Sequence, residues 1–358
     1  MEGSCPVMSV STLTPQISVE PIEKPPKRRP LAALLLNIAL AIVCALLSLW
    51  AMAALYFDLN FPSLRVPAAI AYGIGMICIW LFLRSKRVAS LLIVAAFAIV
   101  LIRWLTLAPS NQRQWQPDVA ILPSAEIVGD RLTMRNIRNC HYRSETDYDV
   151  RHYDKTLDLQ KLRTADLYLI YWGSPSIAHT MVSFGFDGGD YVCISIETRK
   201  QLGESYSAVR GFFRQFELTY VIADERDVVR LRTDFRKEQV YLYRLRMTPE
   251  QVRAVFLDYL KTANELVWQP RWYNALTLNC TTAIRVHADH ARHKPPPFDW
   301  RTIVNGYADQ MLYERGRIDT SLPFAELKKR SLVNPRATAA SDEDFSQAIR
   351  KGLPGVAP

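Results

Sequence analysis

Apolar positions are spread very unevenly along this chain. From Leu31 to Phe57 only Asn37 and Ser48 interrupt a continuous apolar run. That is longer than the ~20 residues a helix needs to cross a bilayer. Val66–Leu83 and Val88–Leu107 repeat the pattern. The spacing predicts three transmembrane helices within residues 31–108. The first run is too long for the apolar core of a secretory signal, so an uncleaved helix is expected. Cys5 has no apolar stretch before it and is not a lipoprotein cysteine.

Basic residues orient the helices. Lys24, Lys27, Arg28 and Arg29 precede the first run, and Arg84-Ser85-Lys86-Arg87 separates the second from the third. Asp58–Arg65, between the first and second, holds one basic residue. The positive-inside rule then puts a tail of residues 1–30 and the RSKR turn in the cytoplasm, and everything beyond about residue 108 outside.

Past the membrane segment the periodicity changes. Pro109, Pro117 and Pro123 sit among polar residues, so 109–130 reads as a linker to a domain spanning 131–358. Strand-like runs follow at Leu167–Trp172, Ile177–Phe186, Tyr191–Glu197, Leu218–Ala223, Val228–Arg232 and Gln239–Leu245. Asp187-Gly188-Gly189-Asp190 joins two of them as a hairpin, because glycine supplies the positive φ of a tight turn. A helix start is marked by Thr248-Pro249-Glu250-Gln251, a capping box with proline at the first helical position. Val252, Val255, Phe256, Tyr259, Leu260, Ala263 and Leu266 then form a core-facing stripe. A second helix is expected from Asn279 or Cys280 onward. Strands followed by helices make this an α+β domain with an antiparallel sheet.

The net charge of +9 changes little in this picture. More than half of the excess lies in the first 108 residues, where nine Lys/Arg face four Asp/Glu and serve topology. The rest is nearly balanced, without the concentrated basic face that nucleic acid requires. Of the six cysteines, Cys44 and Cys78 fall in apolar segments and Cys5 in the tail. Cys140, Cys193 and Cys280 remain. The odd number leaves at least one free or paired outside this set. No CxxC occurs, and no metal or cofactor is expected.

Chemistry concentrates at Asn279-Cys280-Thr281-Thr282. A cysteine where a loop becomes a helix meets amide N–H groups and the positive end of the dipole, which favour a nucleophilic thiolate. The alternative is an inert buried cysteine. His287 lies about 10 Å along the same helix, too far to serve it. His287, His290 and His293 recur every three residues, beside Arg292 and Lys294, as a solvated basic helix end. His141 and His152 have little context. His179 differs, because it lies on a strand-like run where a sheet beside the cysteine helix would present it as a base. The alternative is a structural histidine. The hairpin puts Glu197 or Thr198 across from His179, so Glu197, or Ser195, is a third group that would orient the imidazole. The alternative is that Glu197 pairs with Arg199 or another surface base. Thr281 and Thr282 amides, with Asn279 as a side-chain donor, would hold an oxyanion. Tyr273 and Asn274, in the preceding loop, are further candidates for substrate contact.

The stretches IAHTMVSFGF, YVCISIETRK, GESYSAVRGFFRQFEL, ADERDVVRLRTDF and WYNALTLNCTT resemble the Lnb N-terminal periplasmic domain family over roughly residues 130–325. The resemblance implies a Cys–His site that moves an acyl chain from a lipoprotein's glyceryl group to its N-terminal amine, with His179 and Cys280 at the matching positions. It also implies the inner membrane of a two-membrane bacterium, a periplasmic domain, and membrane lipids or lipoproteins as substrate. The order of histidine before cysteine is similar to circularly permuted NlpC-type, papain-like thiol enzymes. Here the helices precede the domain, whereas in the family's namesake the membrane part follows it. The expectation is a membrane-anchored cysteine acyltransferase or hydrolase. The alternatives are an NlpC-type cell-wall peptidase and a non-catalytic tethered binding domain. Oligomeric state is not legible.

Overall fold

The computed structural model describes residues 1, 3, 31–291, 297 and 299–356. The basic tail with Cys5, and Arg292, His293 and Lys294, lie outside the described residues. Three helices long and apolar enough to cross a membrane open the fold: α1 (Leu31–Asp58), α2 (Pro62–Phe82) and α3 (Lys86–Leu105). Their leucine and isoleucine side chains point outward, as lipid-facing helices require. Small residues, Ala51 and Ala54 of α1 and Ala89 of α3, lie at the contacts between them.

The remainder is a mixed α+β domain. Its strands are β1 (Ser124–Val128), β2 (Arg131–Arg138), β3 (His141–Tyr142), β4 (Tyr148–Asp149), β5 (His152–Asp158), β6 (Leu162–Tyr171), β7 (Ala178–Phe186), β8 (Tyr191–Arg199), β9 (Glu217–Ala223) and β10 (Gln239–Arg244). The main sheet runs β1-β2-β9-β8-β7-β6-β10, with β5 paired to β2. Its neighbours are antiparallel apart from a single parallel pairing of β2 with β9. The expected hairpin joins β7 to β8, and Gly188 and Gly189 both take positive φ.

Strand alternation gives the sheet two buried faces. On one, Leu169, Val182, Phe184, Ile194, Ile196, Leu218 and Tyr220 meet α5 (Pro249–Trp268) and α6 (Cys280–His290). The capping box of Thr248 and Gln251 is present, and the whole predicted stripe of α5 is buried. On the other face, Tyr168, Ile170, Met181, Cys193 and Val221 meet α4 (Glu225–Arg230) and the C-terminal segments. Of the C-terminal helices, α9 (Asn334–Ala339) and α10 (Phe345–Ala348) supply Ala337 and Phe345 to this second core, whereas α7 (Ala308–Glu314) and α8 (Phe324–Ser331) add Ala308 and Leu327 to the first.

Two expectations change. Val228–Arg232 is not a strand but the end of α4 and a following π-type turn, Leu231–Phe235. A short β-branched run does not distinguish strand from helix, and helical spacing buries Val228, Val229 and Leu231 together. Residues 109–130 are not a free linker. Trp115 and Val119 are buried, and β1 is paired to β2.

Candidate functional site

Cys280 is the first residue of α6. Asn279 caps that helix, its Oδ1 accepting from Thr281 N at 3.0 Å and Thr282 N at 2.9 Å, while its Nδ2 donates to Ala275 O. The cap therefore uses the groups expected to hold an oxyanion. The Asn279 amide and the Thr281 and Thr282 N–H groups are engaged, and the Cys280 N–H is the amide of the first turn that this cap does not reach. Thr281 instead links α6 to the sheet, its hydroxyl meeting Thr180 at 3.3 Å and taking a bond from Asn305 Nδ2. Asn274 is also spent on architecture, since Oδ1 accepts from Leu276 N and from Thr277 N and Oγ1. Tyr273 remains near the thiol. Burial pushes its phenol up, and the neighbouring Cys280 and Tyr206 add to the effect.

His179 belongs to a different cluster. Its Nε2 lies 2.8 Å from Ser195 Oγ, and Ser195 donates to Glu197 Oε1 at 2.8 Å. Because the hydroxyl proton goes to Glu197, the Nε2–H must be the donor to Ser195, which leaves Nδ1 as an acceptor. Arg232 Nη2 reaches Glu197 at 3.3 Å, and its Nη1 reaches Glu238 at 3.2 Å. Burial and the charge of Arg232 push the imidazole down to about 3, against the pull of Glu197. Burial works to raise the Glu197 carboxyl, but Arg232 and His179 outweigh it and hold it well below the usual range. Both orienting groups expected for His179 are thus beside it. Glu197 pairs with Arg232, while Arg199 stacks on Trp115.

The structure does not bring the two clusters together. Thr180 faces α6 and touches Thr281, so its neighbour His179 faces the opposite side, with Met181 and Ser195. Cys280 packs in the core on the α5–α6 side. The expected Cys280–His179 pair is therefore separated by the sheet. Among the cysteines, Cys44, Cys78, Cys140, Cys193 and Cys280 are all free. His287, expected as part of a solvated helix end, is buried and bound to Tyr220 and Asp258 at 2.7 Å each. His290 is exposed and shares that carboxylate.

In the sequence, Tyr206, Arg210, Phe212, Phe213 and Arg214 mix apolar and basic side chains suited to lipid headgroups or to a plain core-and-surface helix, but docking of this segment on the membrane helices is not legible there. Phe213 inserts among Trp50, Phe57 and Trp104 at the ends of α1 and α3. Arg214 binds the Leu105 and Leu107 carbonyls and lies over Trp104. Gln215 donates to Phe57 O and Asp58 Oδ1. Two residues before Phe213, Gly211 O accepts from Ala275 N in the loop that leads to Cys280. A mixed Phe-Arg-Gln triplet has no periodicity to mark it, and only the wedge-like Gly211-Phe212-Phe213 was a visible signal.

Taken with the three apolar helices, these contacts define a membrane-anchored α+β domain protein. Residues 148–306 match the model of the Lnb N-terminal periplasmic domain, so this part of the chain is similar to that family. The match takes in His179, Glu197, Arg232 and Cys280. No curated protein and no solved structure matches the chain.

Proposed function

We propose that the domain carries out thiol acyl chemistry on a membrane-associated ester or amide, such as that of a lipoprotein, with Cys280 as the acyl-accepting group. Sγ attacks the carbonyl carbon and the C–S bond forms. The bond to the leaving oxygen or nitrogen breaks, and the leaving group carries away the thiol proton. An amine or water then takes the acyl group, and a proton returns to sulfur. The observation that carries this reading is position. Cys280 opens a capped helix, and its approach loop is hydrogen-bonded to the segment seated on the membrane helices. The aromatic surroundings, with Tyr206 and Tyr273, suit a lipid-bearing substrate better than the polar cleft an NlpC-type peptidase would want.

The order of histidine strand before cysteine helix supports a permuted papain-like relationship. In that relationship His179 is the base, its Nε2 held by Ser195 and its Nδ1 the open acceptor, and it gains basicity only on leaving the buried site beside Arg232. The role requires the first residues of β7 to shift by one register step, because a one-residue slip exchanges the faces of a strand. The separation of the two residues favours a second reading, a non-catalytic membrane-tethered domain in which Cys280 is a core thiol.

Labelling with an acyl-type thiol probe decides between them. Wild-type protein in native membranes is expected to label and Cys280→Ser not to. Equal labelling ends the enzymatic reading. Mass spectrometry of lipoproteins and muropeptides from cells with and without the protein separates the two enzymes, and changed muropeptides with unchanged lipoproteins would point to the peptidase.

A further inference from the structure

The segment between β8 and β9 presents an unusual surface. Leu202 and Val209 are more than half exposed, and Phe212 and Tyr206 nearly half. Leu276, on the loop hydrogen-bonded to this segment through Ala275, is also more than half exposed. Soluble surfaces seldom carry so many large apolar side chains close together without a partner. Here the neighbouring residues show what the partner is. Phe213, directly after Phe212, is buried between α1 and α3. Arg214 and Gln215 bind the last carbonyls of those helices. Trp272, four residues before Leu276, donates to Leu107 O, just beyond the end of α3. The apolar rim therefore sits where the membrane helices leave the bilayer.

From this continuity we propose that Leu202, Tyr206, Val209, Phe212 and Leu276 form an interfacial surface. It inserts into the lipid leaflet on the domain's side and sets the approach to Cys280 against that leaflet. The chemistry of the strip fits the proposal. Tyr206 stacks on Phe216 with its ring half-exposed, an aromatic group of the kind enriched at membrane interfaces. Arg210 is held by Glu204 and lies over Phe216, so its charge is paired within the protein. The rim is thus apolar with its nearest charge neutralised, which suits the acyl boundary better than an anionic surface patch. The inference concerns placement of the domain, and does not depend on whether Cys280 reacts.

The test uses full-length protein in phosphatidylcholine–phosphatidylglycerol vesicles, with Cys5, Cys78 and Cys280 replaced by serine. Val209→Cys and Phe212→Cys each carry an environment-sensitive fluorophore, and Asp187→Cys is the reference. Asp187 stands at the hairpin at the other end of β8, about 27 Å away by strand rise. Labels at 209 and 212 are expected to shift to the blue and to be quenched several-fold more by nitroxide-bearing lipid than the label at 187. Iodide in the aqueous phase should quench them less. If iodide quenches all three alike and nitroxide lipid quenches none, the surface faces water and the proposal is overturned. A blue shift without lipid quenching would overturn it as well, since it would mean that protein, not lipid, covers the strip. Each outcome is read without any activity of Cys280, so failure here and failure of the acyl-transfer reading are separable.

Discussion

Protonation of His179 gives the sharpest physical test of the cluster across the sheet from Cys280. In the folded domain its imidazole is pushed down to about 3, against an ordinary value of 6.5. Its side chain is only 12% exposed, so solvent does little to screen that shift. Between these values the unfolded chain binds a proton that the folded one refuses. Stability therefore falls as pH drops below about 6.5, by up to about 1.4 kcal/mol per pH unit well inside the window. Moving from pH 7 to pH 5 should cost about 2 kcal/mol through this one residue. For a domain of this size that is a fall of about 4–8 °C in midpoint. In His179→Gln the amide can still donate to Ser195, but nothing titrates. The variant is expected to lose that part of the pH dependence while His287, held neutral by burial, contributes alike in both proteins. Thermal unfolding in detergent at pH 7, 6 and 5 measures the two slopes. Parallel slopes would show that His179 is not held neutral by burial and Arg232, and the cluster as described would be wrong.

Other expectations follow from the same contacts. Arg232→Met should destabilise the domain by about 3–5 kcal/mol, because it leaves the Glu197 carboxylate buried without its cation; denaturant midpoints measure this. A denaturation curve at pH 8 would place Glu197→Gln in the same background closer to wild type than Arg232→Met alone, since the stranded charge is then gone. Asn279→Ala removes the α6 cap and should cost about 1 kcal/mol, whereas Asn279→Ser should restore most of it. Glu217 has the opposite sign to His179. Burial lifts its carboxyl to about 7 despite Arg113, so stability falls as pH rises from about 4.5 to about 7, where the unfolded chain has lost a proton that the folded one keeps. Glu217→Gln should flatten this loss between pH 5 and 8, and an unchanged slope would refute it.

The sequence and the structure agree where a local pattern decides the outcome. Three long apolar runs, the Thr248–Gln251 box, the Gly188-Gly189 turn and the helix start at Cys280 all depend on neighbours a few residues away, and all are present. What a strand pattern does not show is which face meets which helix when both faces are buried. Residues 178–186 are inward-facing on alternate sides almost throughout, so His179 and Thr180 were equally eligible to meet α6. Register decided for Thr180. The oxyanion assignment failed for a related reason: the same N–H groups that make a helix start attractive to an anion are the groups a good cap consumes. His287 reads as solvated in the sequence because its partners, Asp258 and Tyr220, come from other elements.

The packed strap after α3 changes how tethering acts. A flexible linker would let the domain sweep a volume above the bilayer and raise the effective concentration of lipid substrates without choosing an orientation. Instead, Asn111 binds the last carbonyls of α5, and Ser110 and Arg113 bind Glu217. Trp104, Arg214 and Gln215 all donate to the Asp58 carboxylate at the end of α1. These contacts tie the domain to all but the middle helix at several points, so its orientation is fixed by protein contacts and not by chain entropy. The same docking holds the 270–278 loop, which leads to Cys280, at the membrane end of the domain, through Trp272 and the Leu107 carbonyl. Shortening or lengthening the strap between Leu107 and Gln114 should therefore disturb folding of the domain before it tunes any reach. A two-residue Gly-Ser insertion after Ser110 is expected to lower the unfolding midpoint, because it breaks the bonds to Glu217 and α5. An unchanged midpoint would mean that the strap is a tether after all, and that the docking contacts add nothing to the stability of the domain.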